Sequence, residues 1–224
     1  MGDDGPTHHG VFDLSYLGQM PNIVIMAPKD ENELQHMIYT ALGQNGPAAV
    51  RYPRGAGRGV PLDKELQYLP VGKSELIRDG SDVALFAVGN MVEIAEKAAA
   101  VLEEQGISTA VVNARFVKPV DDEMVMKYAA KTGRIVTIEE NVQHGGYGSS
   151  VLQIISGSGI NGVKTTVMAL PDAFAEHGDR HLLLAKYGLT VDDMVLTASK
   201  LMGLRDIKTP VRKSFKTGGK RLER

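Results

Sequence analysis

The sequence contains no cysteine, which excludes disulfides, zinc–thiolate sites, iron–sulfur clusters and cysteine nucleophiles. It has no apolar run of membrane-spanning length, and its longest such stretch, residues 83–88, is the size of a strand. The opening, Met1-Gly2-Asp3-Asp4-Gly5-Pro6, lacks the basic start and apolar core of a secretory signal, so the cytoplasm is the expected location. Acidic and basic residues nearly balance, 27 against 25, for a net charge of −2. No global field draws the chain to nucleic acid or to an anionic membrane, and neither is expected as a partner. No repeat of solenoid period is present.

The chain does have core material. Hydrophobic residues are 43% of the 224, enough for one large or two small domains and against wholesale disorder. Ile23, Val24, Ile25 and Met26 stand in succession and predict a buried strand over 22–27 that Pro28 ends. Asp30, three residues before Glu33, opens a helix in the manner of a capping box, with Leu34, Met37, Ile38, Ala41 and Leu42 as its apolar stripe. Asn45-Gly46-Pro47 stops it, and 48–52 is a second strand, so the first unit is strand–helix–strand with a parallel crossover. Residues 55–72 hold several Gly and Pro residues without periodicity and read as a linker. Beyond it, strands at 83–88, 108–113, 134–138 and 163–169 alternate with helices at 92–104, 121–131, 147–156, 179–187 and 191–201. That alternation predicts an α/β layer fold with a mostly parallel sheet. Residues 1–20 read as loop before any regular element, an opening that predicts earlier sequence. The tail, 205–224, is rich in Lys and Arg and reads as disordered and solvated.

Three segments carry candidate chemistry. In Asp4-Gly5-Pro6-Thr7-His8-His9-Gly10-Val11-Phe12-Asp13, Gly and Pro shape a loop crowded with Asp, Thr and two His residues. An imidazole there can move a proton near neutral pH or polarise a substrate oxygen; an inert loop histidine is the commoner reading of the pattern alone. Adjacent histidines point apart and make a poor metal site. Arg51-Tyr52-Pro53-Arg54-Gly55 follows a predicted strand, where ligands of parallel α/β sheets bind. An arginine in that place grips phosphate or carboxylate through paired hydrogen bonds, or else bridges to a surface carboxylate. Glu139-Glu140-Asn141 and then Gly145-Gly146-Tyr147-Gly148 also follow a strand and open a helix. Backbone N–H groups there can hold an anion, although glycines that lack the G-x-G-x-x-G spacing read first as sites of helix–sheet close packing. His144, His177 and His181 have no partners in spacing and read as loop or helix-surface residues.

Taken together, these segments resemble the 1-deoxy-D-xylulose-5-phosphate synthase family. The resemblance is carried, in order over about residues 2–202, by Asp4 through Leu17, Ala27-Pro28-Lys29-Asp30-Glu31-Asn32-Glu33, Arg51-Tyr52-Pro53-Arg54-Gly55, Arg115-Phe116-Val117-Lys118-Pro119 and Glu139-Glu140-Asn141. It implies a partial transketolase-like pyrimidine-binding domain over 1–54, the linker 55–72, a transketolase C-terminal domain over 73–204 and the basic tail 205–224. The implied activity is that of a thiamine-diphosphate-dependent transketolase-type transferase. It condenses pyruvate with D-glyceraldehyde 3-phosphate, with loss of carbon dioxide, to 1-deoxy-D-xylulose 5-phosphate, a precursor of isoprenoids, thiamine and pyridoxal. Thiamine diphosphate, held with Mg2+, is the electron sink. His8 matches the family's histidine at the reacting carbons, which stabilises developing alkoxide or shuttles a proton. Arg54 matches the arginine that binds the aldehyde's phosphate, and Asp4 lines the same pocket. His9 receives no role, and a homodimer is implied.

Departures from the family pattern matter as much. The sequence has no Gly-Asp-Gly segment with a following Asn, which in the family holds Mg2+ and diphosphate. The glutamate that activates the aminopyrimidine, like the other cofactor-binding residues, is expected upstream of Met1; no metal ligand is assigned here. The chain is therefore expected to be a C-terminal piece, inactive alone. The alternative is a non-catalytic assembly subunit of a split transketolase-like enzyme. A Rossmann-type nucleotide-binding domain is disfavoured by the glycine spacing.

Overall fold

The computed structural model describes residues 2–204 and Thr209; apart from Thr209, the tail read as disordered lies outside the described residues. The first unit runs α1 (Asp13–Gly18), β1 (Val24–Met26), α2 (Glu31–Leu42) and β2 (Ala48–Val50). β1 and β2 are parallel, with Val24 opposite Ala48, as the strand–helix–strand reading requires. Helix α1 corrects the expectation of loop over 1–20. It is six residues long, with Leu14 its one buried side chain, too short to show a period. Asp30 caps α2 by accepting from the Glu33 N–H at 2.8 Å. The reciprocal half of the capping box is absent, because Glu33 accepts from the Lys29 N–H instead. Of the expected stripe, Met37 is buried while Ile38 and Leu42 are exposed.

The second unit continues β3 (Glu75–Arg78), β4 (Val83–Ala87), α3 (Met91–Glu103), β5 (Thr109–Asn113), β6 (Phe116–Lys118), α4 (Asp122–Thr132), β7 (Arg134–Val142), α5 (Tyr147–Gly157), β8 (Lys164–Leu170), α6 (Arg180–Lys186) and α7 (Val191–Met202). Five of these strands form one sheet in the order β3-β5-β4-β7-β8. All its pairings are parallel except that of β3, which runs antiparallel on the edge. All five residues of β4 are buried, since helices cover both faces. Leu85 faces the cluster with α3 and α7, while Ala84 and Phe86 face the cluster with α4 and α5, the two-residue alternation of a strand. α7 starts on a full capping box between Thr190 and Asp193. No helix among the described residues is long and apolar enough to cross a membrane.

Two features join the units. β6 leaves the large sheet and pairs antiparallel with the free edge of β1, giving a second sheet of order β2-β1-β6. Residues 55–72 form no helix or strand, but polar side chains of α2 hold their backbone. The Glu31 carboxylate accepts from the N–H groups of Arg58, Gly59 and Val60 at 2.5–3.0 Å. Asn32 accepts from Asp63 N–H at 2.8 Å, His36 from Gln67 N–H at 3.0 Å and Thr40 from Leu69 N–H at 2.9 Å. Residues 32, 36 and 40 are each one turn apart on one helix face.

Candidate active site

The loop before α1 is a tight turn built on Gly5, whose φ of +83° is left-handed. The Gly5 carbonyl accepts from both His8 N–H (3.0 Å) and His9 N–H (3.1 Å). That turn separates the two imidazoles. His9 Nε2 lies 2.9 Å from the Gly2 carbonyl oxygen, and its Nδ1 is buried without a partner. His8 is exposed, with Nδ1 2.9 Å from the Thr7 hydroxyl. Its Nε2 has no partner among the described residues, so this is the imidazole able to meet a ligand.

Asp4 and Arg54, fifty positions apart, meet in an ion pair between the Asp4 carboxylate and Arg54 Nη1. The Arg54 hydrogen bond and charge hold the Asp4 carboxyl below the usual carboxylate range, and His8 and His9 add to the effect. Of the three residues singled out by sequence, Asp4 and Arg54 meet directly, and His8 lies near enough for its charge to act on Asp4. Arg54 is 82% exposed and Asp4 44%, so an anionic ligand can compete for the guanidinium.

Arg51 takes the opposite fate. Only 14% exposed, it lies 3.5 Å from the Asp13 carboxylate through Nε. Its Nη2 donates to the carbonyls of Gly10, at 2.7 Å, and Glu140. Of the two readings open for this arginine pair, Arg54 makes the bridge to a surface carboxylate, that of Asp4, while Arg51 is held among backbone carbonyls and Asp13.

Glu139 and Glu140 separate in the same way. The α5 N-terminus does hold a carboxyl group, that of Glu139, which accepts from Tyr147 N–H and Gly148 N–H, both at 2.8 Å. The glycines permit this approach: a Cβ on Gly146 would stand 2.5 Å from a Glu139 oxygen, and one on Gly148 2.6 Å from Thr137 and Val167 atoms. Burial nevertheless pushes the Glu139 carboxyl up to about 7, with those hydrogen bonds and the Arg51 charge opposing. Burial also pushes Glu140 up, but Arg180, 2.6 Å away, overcomes it and holds Glu140 at about 2.

A pH dependence follows for Glu139. Its value rises from 4.5 in the ordinary state to about 7 in the fold, so between those limits the native state keeps a proton that the unfolded chain has released. The contribution is fully present below pH 4.5 and is lost as pH rises through 7, on the order of 3 kcal/mol in all. Denaturant unfolding at pH 5 to 8 should show the stability of the natural chain relative to Glu139→Gln falling with rising pH. A flat difference would place the Glu139 carboxyl in the ordinary range.

Sequence reading missed the wall of this site. The β8–α6 connection passes over the histidine loop: Gly178 N–H donates to the Gly2 carbonyl at 3.2 Å. A Cβ on Gly5 would lie 3.3 Å from the His177 Cβ, and Phe174 stacks edge-on against Phe12 with centroids 5.6 Å apart. No local pattern links residues that far apart in sequence.

This two-unit α/β arrangement is that of the transketolases. The chain matches the description "Transketolase, C-terminal domain" over residues 72–194 and "Transketolase, pyrimidine binding domain" over 1–59, and it belongs to that family. Among its relatives, it is 56% identical to the 1-deoxy-D-xylulose-5-phosphate synthase of Pelotomaculum thermopropionicum, covering 87% of this chain and 31% of that protein. It is also 56% identical to the synthase of Desulforudis audaxviator, covering 88% of this chain and 31% of the relative. The chain thus spans about a third of the length of these relatives. A solved structure described as a split gene transketolase, inactive β4 tetramer, superposes with a TM-score of 0.79 at 30% identity, covering 90% of this chain and 64% of that one.

Proposed function

We propose that this chain is the C-terminal third of a 1-deoxy-D-xylulose-5-phosphate synthase that works in the cytoplasm. Its substrates are pyruvate and D-glyceraldehyde 3-phosphate. The observation that carries the reading is the pairing of Asp4 with an exposed Arg54, with His8 close enough to act on the Asp4 charge, in segments that resemble the synthase signature. Thiamine diphosphate and Mg2+ belong to that activity, and the cofactor supplies the electron sink. Among the described residues no three His, Cys, Asp or Glu side chains stand together, and no residue of this chain is assigned to the metal or the diphosphate. In this chain, Arg54 exchanges Asp4 for the phosphate of the aldehyde substrate, away from the reacting carbons. His8 Nε2 holds or delivers a proton at the carbonyl oxygen of that substrate.

In an enzyme extended to the relatives' full length, Arg54→Ala should lower kcat/KM for glyceraldehyde 3-phosphate by about 10–100-fold, the loss of a charge-assisted pair. Decarboxylation of pyruvate should survive. Arg54→Lys should rescue in part, because an ammonium cannot form the fork. A raised Michaelis constant for pyruvate with the aldehyde unaffected would overturn the phosphate role. A second reading, a non-catalytic assembly subunit of a split enzyme, draws on the likeness to the split gene transketolase. Recovery of activity on mixing this chain with a separate chain carrying the other two thirds would favour it.

A further inference from the structure

We propose that Arg51 is the positioning residue for His8, clamping the turn that follows the imidazole onto the end of β7. The inference rests on the reading of His8 given above. Arg51 stands one residue past β2, and its own N–H donates to the Met26 carbonyl at 2.9 Å, so its backbone is part of the small sheet. From there the guanidinium reaches the Gly10 carbonyl, the Glu140 carbonyl and the Asp13 carboxylate. Neutralising a carboxylate is not its main contact. The Asp13 oxygen is 3.5 Å away, whereas the Gly10 carbonyl is at 2.7 Å. Backbone acceptors fix geometry, and a planar fork with five donors suits them better than a point charge.

What needs fixing is the loop. His8 has two anchors, the Gly5 carbonyl and the Thr7 hydroxyl, and both lie in the same turn. They shape the loop without placing it on the fold. Ahead of His8 the loop is held by Gly178 N–H on the Gly2 carbonyl and by the exposed Asp4–Arg54 pair; behind it, the tie is at Gly10, two residues on. Next to it, Val142 N–H donates to the Val11 carbonyl at 2.8 Å, so Arg51 and β7 grip consecutive peptide groups. The Glu140 carbonyl that shares Arg51 belongs to the second unit, so the clamp sets His8 against both units at once.

The test uses Arg51→Lys and Arg51→Met in the 224-residue chain and in the enzyme completed to the relatives' length. In the chain itself, hydrogen exchange of peptides covering 5–14 should quicken at least about tenfold while peptides from β4 and α3 keep their rates. A purely structural arginine would speed exchange across the whole molecule, and that result, or no change, would overturn the proposal. Should Arg51→Met fail to fold, Asp13→Asn is expected to show a smaller version of the same local effect. In the completed enzyme, Arg51→Lys should lower kcat by about 100-fold, the cost of roughly 1 Å of misplacement, with both Michaelis constants within about twofold. A further variant of the completed enzyme, Arg51→Ala, should lose at least as much kcat as Arg51→Lys, and guanidinium ion should restore part of it. If His8→Ala lowers kcat while Arg51→Lys leaves it unchanged, the proposal is wrong. If His8→Ala itself leaves kcat unchanged while the local exchange effect holds, the reading of His8 is wrong and the clamp stands.

Discussion

Glu33→Ala is expected to lower the unfolding free energy by about 3–5 kcal/mol, the range for breaking a buried ion pair from one side. Glu33 is 3% exposed and sits where α2 meets β3 and β5. Its two oxygens take Arg115 Nε at 2.7 Å, Asn113 Nδ2 at 2.9 and 3.0 Å, and Lys29 N–H at 2.8 Å. Alanine leaves the fully buried Asn113 amide with Glu75 as its remaining acceptor. It also leaves Arg115, 20% exposed, facing Glu75 alone at 3.3 Å. Arg115 can turn partly to water, which pulls the cost toward the lower end of the range. Glu33→Gln should cost less, since it keeps the shape and one acceptor. Urea unfolding near neutral pH measures both, and a loss under about 1 kcal/mol for the alanine variant would mean that solvent already screens the cluster.

His8→Ala should have the largest effect on activity. In the completed enzyme, kcat is expected to fall by about 10²–10⁴-fold, the range for a positioned acid or base, with little change in either Michaelis constant. An interaction made with charge that develops during reaction appears in turnover rather than in binding. Steady-state series in each substrate separate the two. A raised Michaelis constant for the aldehyde with turnover intact would move His8 from proton handling to simple binding.

Elements with a strong local period were legible in the sequence. β4 is a run of apolar residues, and α3, α4, α5 and α7 lie within about two residues of their expected bounds. The elements that were not legible draw their stability from partners distant in sequence. Glu75–Arg78 holds β3 through one antiparallel edge, and its alternation is masked by charged residues at both ends. Phe116–Lys118 is a strand because β1 is there to receive it. The site shows the same division. Convergence of Asp4, His8 and Arg54 was implied by resemblance. The split between an exposed Arg54 and an interior Arg51 was not, because it depends on the carbonyls of Gly10 and Glu140. Glu139 and Glu140 are likewise adjacent and chemically identical, yet one is fully buried against two N–H groups and the other faces Arg180. Burial and partner identity, set by the tertiary fold, give them opposite proton affinities.

The pairing of β1 with β6 bears on synthesis. During translation, Val24–Met26 leaves the ribosome with β2 close behind it, but its other edge waits for a strand about ninety residues later. At ordinary elongation rates of about 5–20 residues per second, that is a wait of several seconds. Through it, Ile25 and Met26, both fully buried in the finished fold, stand on an open edge that another nascent chain can extend. The first unit thus needs either fast synthesis of the second or a chaperone in the interval. Slowing translation between the two segments should cost more soluble protein than slowing it anywhere after β6.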